Sequence, residues 1–185
     1  MPISDRVMEC INKYNANDLD NALIQLCIAL DGTAKKEYPR INKVGRRFKE
    51  FVKANQDIVT FFTFETNIFV NCQFGKYSVE QFIYQVLRCG LLHEAEVPEM
   101  IRFVEPNQPI TISDRGWCLP KTFIFGTLLA VIGADSNANQ SLPNDIEVVI
   151  MGQNFKVNNL WGRADMVRHL MKAPANSPEG GAEGI

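Results

Sequence analysis

Residues 123–134, FIFGTLLAVIGA, contain no charge and a single hydroxyl, on Thr127. A run of this kind cannot lie on a surface. At about 12 residues it is too short for a bilayer, which needs about 20, so it predicts a buried helix. Read from residue 119 to residue 132, with Pro120 suited to the first turn, it is an almost wholly apolar helix. Such a helix must be packed from more than one direction. The chain is therefore expected to be mainly α, a helical bundle built around this segment.

The rest of the chain supplies helices able to surround it. Residues 3–14 place Val7, Met8 and Ile11 on one face. Asn17 or Asp18 can cap a second helix, which reaches about residue 30 or continues to Lys36. Its inward side holds Leu19, Ala22, Leu23, Leu26, Ala29 and Leu30. A third helix is expected to start at Pro39, with Ile41, Val44, Phe48, Phe51 and Val52 as its apolar stripe. Residues 58–64, IVTFFTF, read equally as a helix end or a buried strand. Residues 71–77 read as a loop. After residue 98 prolines become frequent, and a small β appendage is expected near 108–112 and 145–158. The second part is a hairpin turning at Gly152-Gln153. Residues 160–171 read as a last helix, and residues 173–185 as a disordered tail. One domain over residues 1–172 is the expectation for a chain of 185 residues.

The net charge of −2 conceals a strong asymmetry. Residues 35–53 carry eight basic side chains against two acidic ones, a local +6 that leaves −8 for the remainder. Arg40, Lys43, Arg46 and Arg47 lie in this window. They are the candidate contacts to an anionic polymer, although a charged helix face is also an ordinary solvated surface. Five cysteines, an odd number without paired spacing, argue against a disulfide framework and for a reducing cytoplasm. The first 15 residues lack the apolar core of a signal peptide.

The candidate chemistry lies in residues 78–94, SVEQFIYQVLRCGLLHE. Ser78 with Gln81 three positions on forms a capping box. Val79, Phe82, Ile83, Val86 and Leu87 follow at helical spacing. Arg88 and His93 come next. In an uninterrupted helix their five-residue separation turns them roughly 140° apart. Gly90 between them can end or kink the helix and allow them to converge. An arginine holds a phosphate with a permanently charged fork, and a histidine exchanges protons near neutral pH. Together they suffice for metal-free RNA cleavage.

The segment Arg88-Cys-Gly-Leu-Leu-His93 resembles the motif of the HEPN superfamily (higher eukaryote and prokaryote nucleotide-binding domains), an arginine followed by a histidine after four to six residues. Residues 22–39 are also similar to a HEPN second helix and its connector. The resemblance implies a HEPN-like helical bundle that dimerises, bringing two Arg/His pairs into one cleft. It further implies a metal-independent endoribonuclease of toxin or defence type, with Arg88 and His93 catalytic, RNA as substrate and no cofactor. Active members often carry Asn, Asp or His directly after the arginine; here the residue is Cys89. A catalytically inactive module that binds RNA, nucleotides or a protein therefore stands beside the enzyme reading.

Other uses of these residues leave further alternatives. Arg88 can pair with a carboxylate while His93 caps the helix. Cys89 with His93 lacks a third orienting group for a thiol nucleophile. Cys89, His93, Glu94 and Glu96 match no zinc spacing, so no metal site is expected. The expected partners are RNA, a second copy of the chain and an antitoxin or other protein, with no membrane association.

Overall fold

The computed structural model describes residues 2–64, 73–74, 76–88, 101–105, 111–113 and 116–172. The fold is mainly α. Helix α1, Ile3–Asn15, buries Ile3, Val7, Cys10 and Ile11 at spacings of three and four. It packs along α2, Leu19–Glu37, whose buried side runs from Ala22 to Ala34. The α1–α2 connection turns at Asn17, φ 57°, a left-handed conformation that asparagine tolerates. The Asp18 carboxylate accepts two hydrogen bonds from Asn21, at 2.9 and 3.0 Å, and Lys13 lies 3.3 Å away. The Asn21 bonds, then Lys13, hold its carboxyl below the usual value.

Helix α3, Val44–Ala54, starts five residues later than expected. Pro39 is the second residue of a turn closed by Ile41 N–H donating to Tyr38 C=O at 3.0 Å. Proline's fixed φ suits that position as well as it suits a first helical turn. The stripe is correct in part: Phe48, Phe51 and Val52 are buried, and Val44 is half-buried.

The ambiguous segment is helical. It forms α4, Gln56–Phe64, in which residues 58–63 are all buried. Its threonines bond back into the helix, Thr60 Oγ1 to Gln56 C=O at 2.8 Å and Thr63 Oγ1 to Val59 C=O. This satisfies their hydroxyls inside an apolar environment. A helix buried on every side shows no periodicity, which is why sequence alone left it open.

Helix α6, Thr122–Gly133, is the predicted central helix, buried over nearly its whole length. It lies against α4, and Thr122 Oγ1 donates to Thr63 C=O at 2.8 Å across the interface. Its expected start at residue 119 is corrected. Leu119 and Pro120 belong to strand β5, Gly116–Pro120, which runs parallel to β3, Ile101–Val104. Pro120 is the final strand residue, where a missing donor is tolerated, and the next amide, Lys121, donates to Val104 C=O at 2.9 Å. Pairing with a strand some 15 residues upstream decided the conformation of a segment that is apolar in either reading.

The single β appendage is also corrected. Strand β4, Thr111–Ser113, is antiparallel to β5 in a three-stranded sheet of order β3-β5-β4. Strands β6, Glu147–Ile150, and β7, Gln153–Lys156, form a separate hairpin. The hairpin turns one residue earlier than expected, at Met151-Gly152, with φ of 50° and 75°. Positive φ at both positions is the turn that matches the twist of two-residue hairpins. Within the expected loop at 71–77 lies a third small sheet, β1, Gln73–Phe74, paired with β2, Tyr77–Ser78. The last helix, α7, is shorter than expected, Ala164–Leu170, with Leu160 and Trp161 buried ahead of it. One hydrophobic cluster links these helices. The expected tail, 173–185, lies outside the described residues.

Candidate nucleic-acid interface

The segment carrying Arg88 opens as the sequence predicts. Gln81 Oε1 accepts the Ser78 amide at 3.1 Å, and α5, Val79–Phe82, follows with Val79 and Phe82 buried. From Ile83 to Arg88 the winding is π-helical. The helix thus leaves α geometry before Gly90, where a break was expected. Single π turns are rare and concentrate at functional sites.

Aromatic packing fixes this segment on two sides. Phe82 lies against Trp117 with ring centroids 4.4 Å apart, and edge-on to Phe123 at 6.4 Å. Tyr84 meets Phe48 of α3 edge-on at 5.4 Å. Its ring occupies the space where any side chain at position 45 would begin: a Cβ on Gly45 would lie 2.5 Å from Tyr84 Cζ. Glycine at 45 therefore lets the π segment seat directly on the basic helix.

The basic residues divide into exposed and engaged groups. Arg40 is exposed in the turn before α3. Lys43 is exposed at the α3 N-cap, where its carbonyl accepts the amides of Arg46 and Arg47. Arg46 is exposed on the first turn. Arg47 is different: its Nη2 lies 3.9 Å from Asp31 Oδ1, and its side chain keeps 15% of its exposure. It ties α3 to α2. Arg40 and Lys43 precede α3, whereas Arg46 and Arg47 lie within it.

The residue match with known proteins spans nearly the whole of this arrangement: a protein-family model named Rv1289 covers residues 2–179. The chain belongs to the Rv1289 family. Its relatives include the uncharacterized proteins Mb1320 of Mycobacterium bovis and Rv1289 and MT1327 of Mycobacterium tuberculosis. Each is 22% identical, over 91% of this chain and 87% of the relative. No solved structure matches.

In this Rv1289-family chain two further cations join the site. Lys49 Nζ lies 5.9 Å from the Tyr84 ring centroid, within cation–π range. Lys49 and Lys53 of α3, with Glu50, Glu80 and Gln81, line a shallow cavity of about 190 Å³ between α3 and α5. The charge count over residues 35–53 contained both lysines. Nothing local, however, signalled that they would face the segment carrying Arg88. At Arg88 the structure describes the backbone. The Arg88 side chain and the residues Cys89, Gly90, His93, Glu94 and Glu96 lie outside the described residues. Among the described residues no group of histidine, cysteine and carboxylate side chains could hold a metal ion. Among them, too, no helix is long and apolar enough to cross a membrane.

Proposed function

We propose that this chain is a HEPN-like, metal-independent endoribonuclease that acts in the cytoplasm as a homodimer. The observation that carries the reading is the seating of the π segment ending at Arg88 on the basic helix α3, through Tyr84 and Gly45. RNA held along Arg40, Lys43 and Arg46 would lie beside that segment. In the proposed reaction His93 removes the proton of a ribose 2′-hydroxyl and the 2′-oxygen attacks the adjacent phosphorus. The bond to the 5′-oxygen breaks, and protonated His93 returns the proton to that leaving oxygen. Arg88 stabilises the charge on the phosphoryl oxygens. One product ends in a 2′,3′-cyclic phosphate and the other in a 5′-hydroxyl.

The test is RNA cleavage in EDTA by wild type, Arg88→Ala and His93→Ala. Cleavage by wild type and loss of at least a hundredfold in each variant is expected. Cleavage that survives both substitutions assigns the activity elsewhere. Overexpression should arrest growth, and His93→Ala should relieve the arrest.

One observation favours a second reading, a binding module without cleavage. Arg40, Lys43 and Arg46 are exposed and carry no ion pair among the described residues, and Lys43 stands at a helix N-terminus, where the helix dipole also attracts anions. Such a module binds RNA with an affinity that falls with salt and does not cut it. Each phosphate contact to a single strand contributes about 0.7 to the slope of log affinity against log salt. Replacing Arg40, Lys43 and Arg46 together by glutamine should therefore flatten the slope by about 2. Replacing Arg47 should lower stability and leave the slope nearly unchanged.

A further inference from the structure

The hairpin β6–β7 has an edge to which no other described strand is paired. Among the described residues β6 pairs with β7 alone. The pair flanking a two-residue turn, Ile150↔Gln153, is hydrogen-bonded, and bonded and open pairs alternate from there. Val157 N–H donating to Ile146 C=O at 2.9 Å keeps the alternation in phase. Val149↔Asn154 and Glu147↔Lys156 are thus the open pairs, so the amides and carbonyls of Val149 and Glu147 point away from β7. Val149 is also 65% exposed, an exposed large apolar side chain on that edge.

A cavity of about 390 Å³ borders the same edge. Consecutive β6 residues, Glu147, Val148 and Val149, form one wall, and no β7 residue contributes. Neighbours that alternate between two faces can share a wall only along the strand's edge. The opposite wall comes from α1 (Ile11, Tyr14) and α6 (Phe125, Leu128), and is largely apolar. The edge carries one further mark. Lys156, across from Glu147, is held by Asp145 at 2.8 Å, and Glu147 has no ion-pair partner among the described residues.

We propose that the open edge of β6 docks an extended peptide of another protein, added as an antiparallel strand with a β-branched, a large apolar and a basic residue in that order. Backbone bonds to Val149 and Glu147 supply affinity, and the side chains supply selectivity. The β-branched residue lies opposite Val149 on the outer face. The large apolar residue lies opposite Val148 and enters the cavity. The basic residue lies opposite Glu147. Charge selects this occupant over a second copy, whose own edge reads Glu-Val-Val-Ile and offers no cation to Glu147.

The probe is the peptide acetyl-Ser-Val-Leu-Lys-Ser-amide, titrated into the full ¹⁵N-labelled chain. The expected result is saturable shifts of the Val149 and Glu147 amides. Val149→Pro removes the outward donor at an edge position that tolerates proline, and should weaken binding at least tenfold. Glu147→Lys should weaken this peptide and strengthen the one with Glu in place of Lys. That charge reversal decides the matter if Val149→Pro disturbs the hairpin. No shift at millimolar peptide, or equal binding by the variants, overturns the proposal. So does Val149-dependent self-association in sedimentation, which assigns the edge to a second copy. Decylamine producing the same shifts in wild type and Val149→Pro overturns it in favour of a small-ligand cavity.

Discussion

Gly45 and Tyr84 show how a single residue sets the candidate site. Position 45 is in the first turn of a helix, where glycine is a poor helix former. Its value lies in what it omits. A methyl group there would meet Tyr84 at 2.5 Å, within a ring that Phe48 and Lys49 already border. Gly45→Ala should gain in helix propensity yet destabilise the chain by about 1–3 kcal/mol, the range for overpacking a fitted contact. Urea unfolding measures this. Tyr84→Ala in the same chain removes the obstruction, so the double variant should be no less stable than Tyr84→Ala alone. A Gly45→Ala protein as stable as wild type would show that the ring moves aside freely. If the proposed RNA binding or cleavage is present, the same substitution should reduce it, because Tyr84 seats the segment ending at Arg88 on Gly45.

At the scale of elements, α7 is a short helix fixed by a polar clasp. Arg168 Nε donates to Asp57 Oδ2 at 2.7 Å, and its Nη2 donates to Ala54 C=O at 3.2 Å, where α3 gives way to α4. The clasp joins the end of the described chain to a junction more than 100 residues earlier. The ion pair is over a third exposed, with side-chain exposures of 36% and 39%, so solvent screens it. Arg168→Ala should cost about 1 kcal/mol at low salt, and less in 0.5 M NaCl. Arg168→Lys should recover only part of this, because lysine lacks the fork that reaches carboxylate and carbonyl together. Thermal unfolding of the three proteins at two salt concentrations tests both statements. Equal stability at both salt concentrations would mean that packing of Val167 and Leu170 holds α7 unaided.

Stability of the whole molecule should depend on pH through Cys10. Burial in the α1–α2 interface, with a smaller contribution from Cys27, pushes the thiol up from its ordinary 9.0 to about 12. The folded state therefore keeps a proton that the unfolded state releases. The stabilisation is complete below pH 9.0 and declines as pH rises towards about 12. Unfolding free energy should fall through this window, by at most about 1.4 kcal/mol per pH unit for this one proton. Tyr14 and Tyr38, also raised by burial, slope the same way. The comparison that isolates Cys10 is with Cys10→Ala, which should be less stable at pH 8 but lose less stability between pH 9 and 11. Equal slopes would remove Cys10 as the cause.

At this same scale the sequence can be separated from the fold. The sequence determined that the chain is mainly α, because residues 123–134 are apolar on every side and the first two helices each carry one buried stripe. It determined the start of the Arg88 segment, because Ser78 and Gln81 meet within one turn. These are local patterns, and local patterns survive translation into structure. The tertiary structure decided everything that depended on distant pairing. Leu119 and Pro120 became strand because β3 was available to pair with them. Arg47 left the basic surface because Asp31 of α2 came within reach. Lys49 joined the Arg88 segment because Tyr84 seats on Gly45, almost 40 residues earlier in the chain. Periodicity reports which side of a segment is buried; only packing decides what it is buried against.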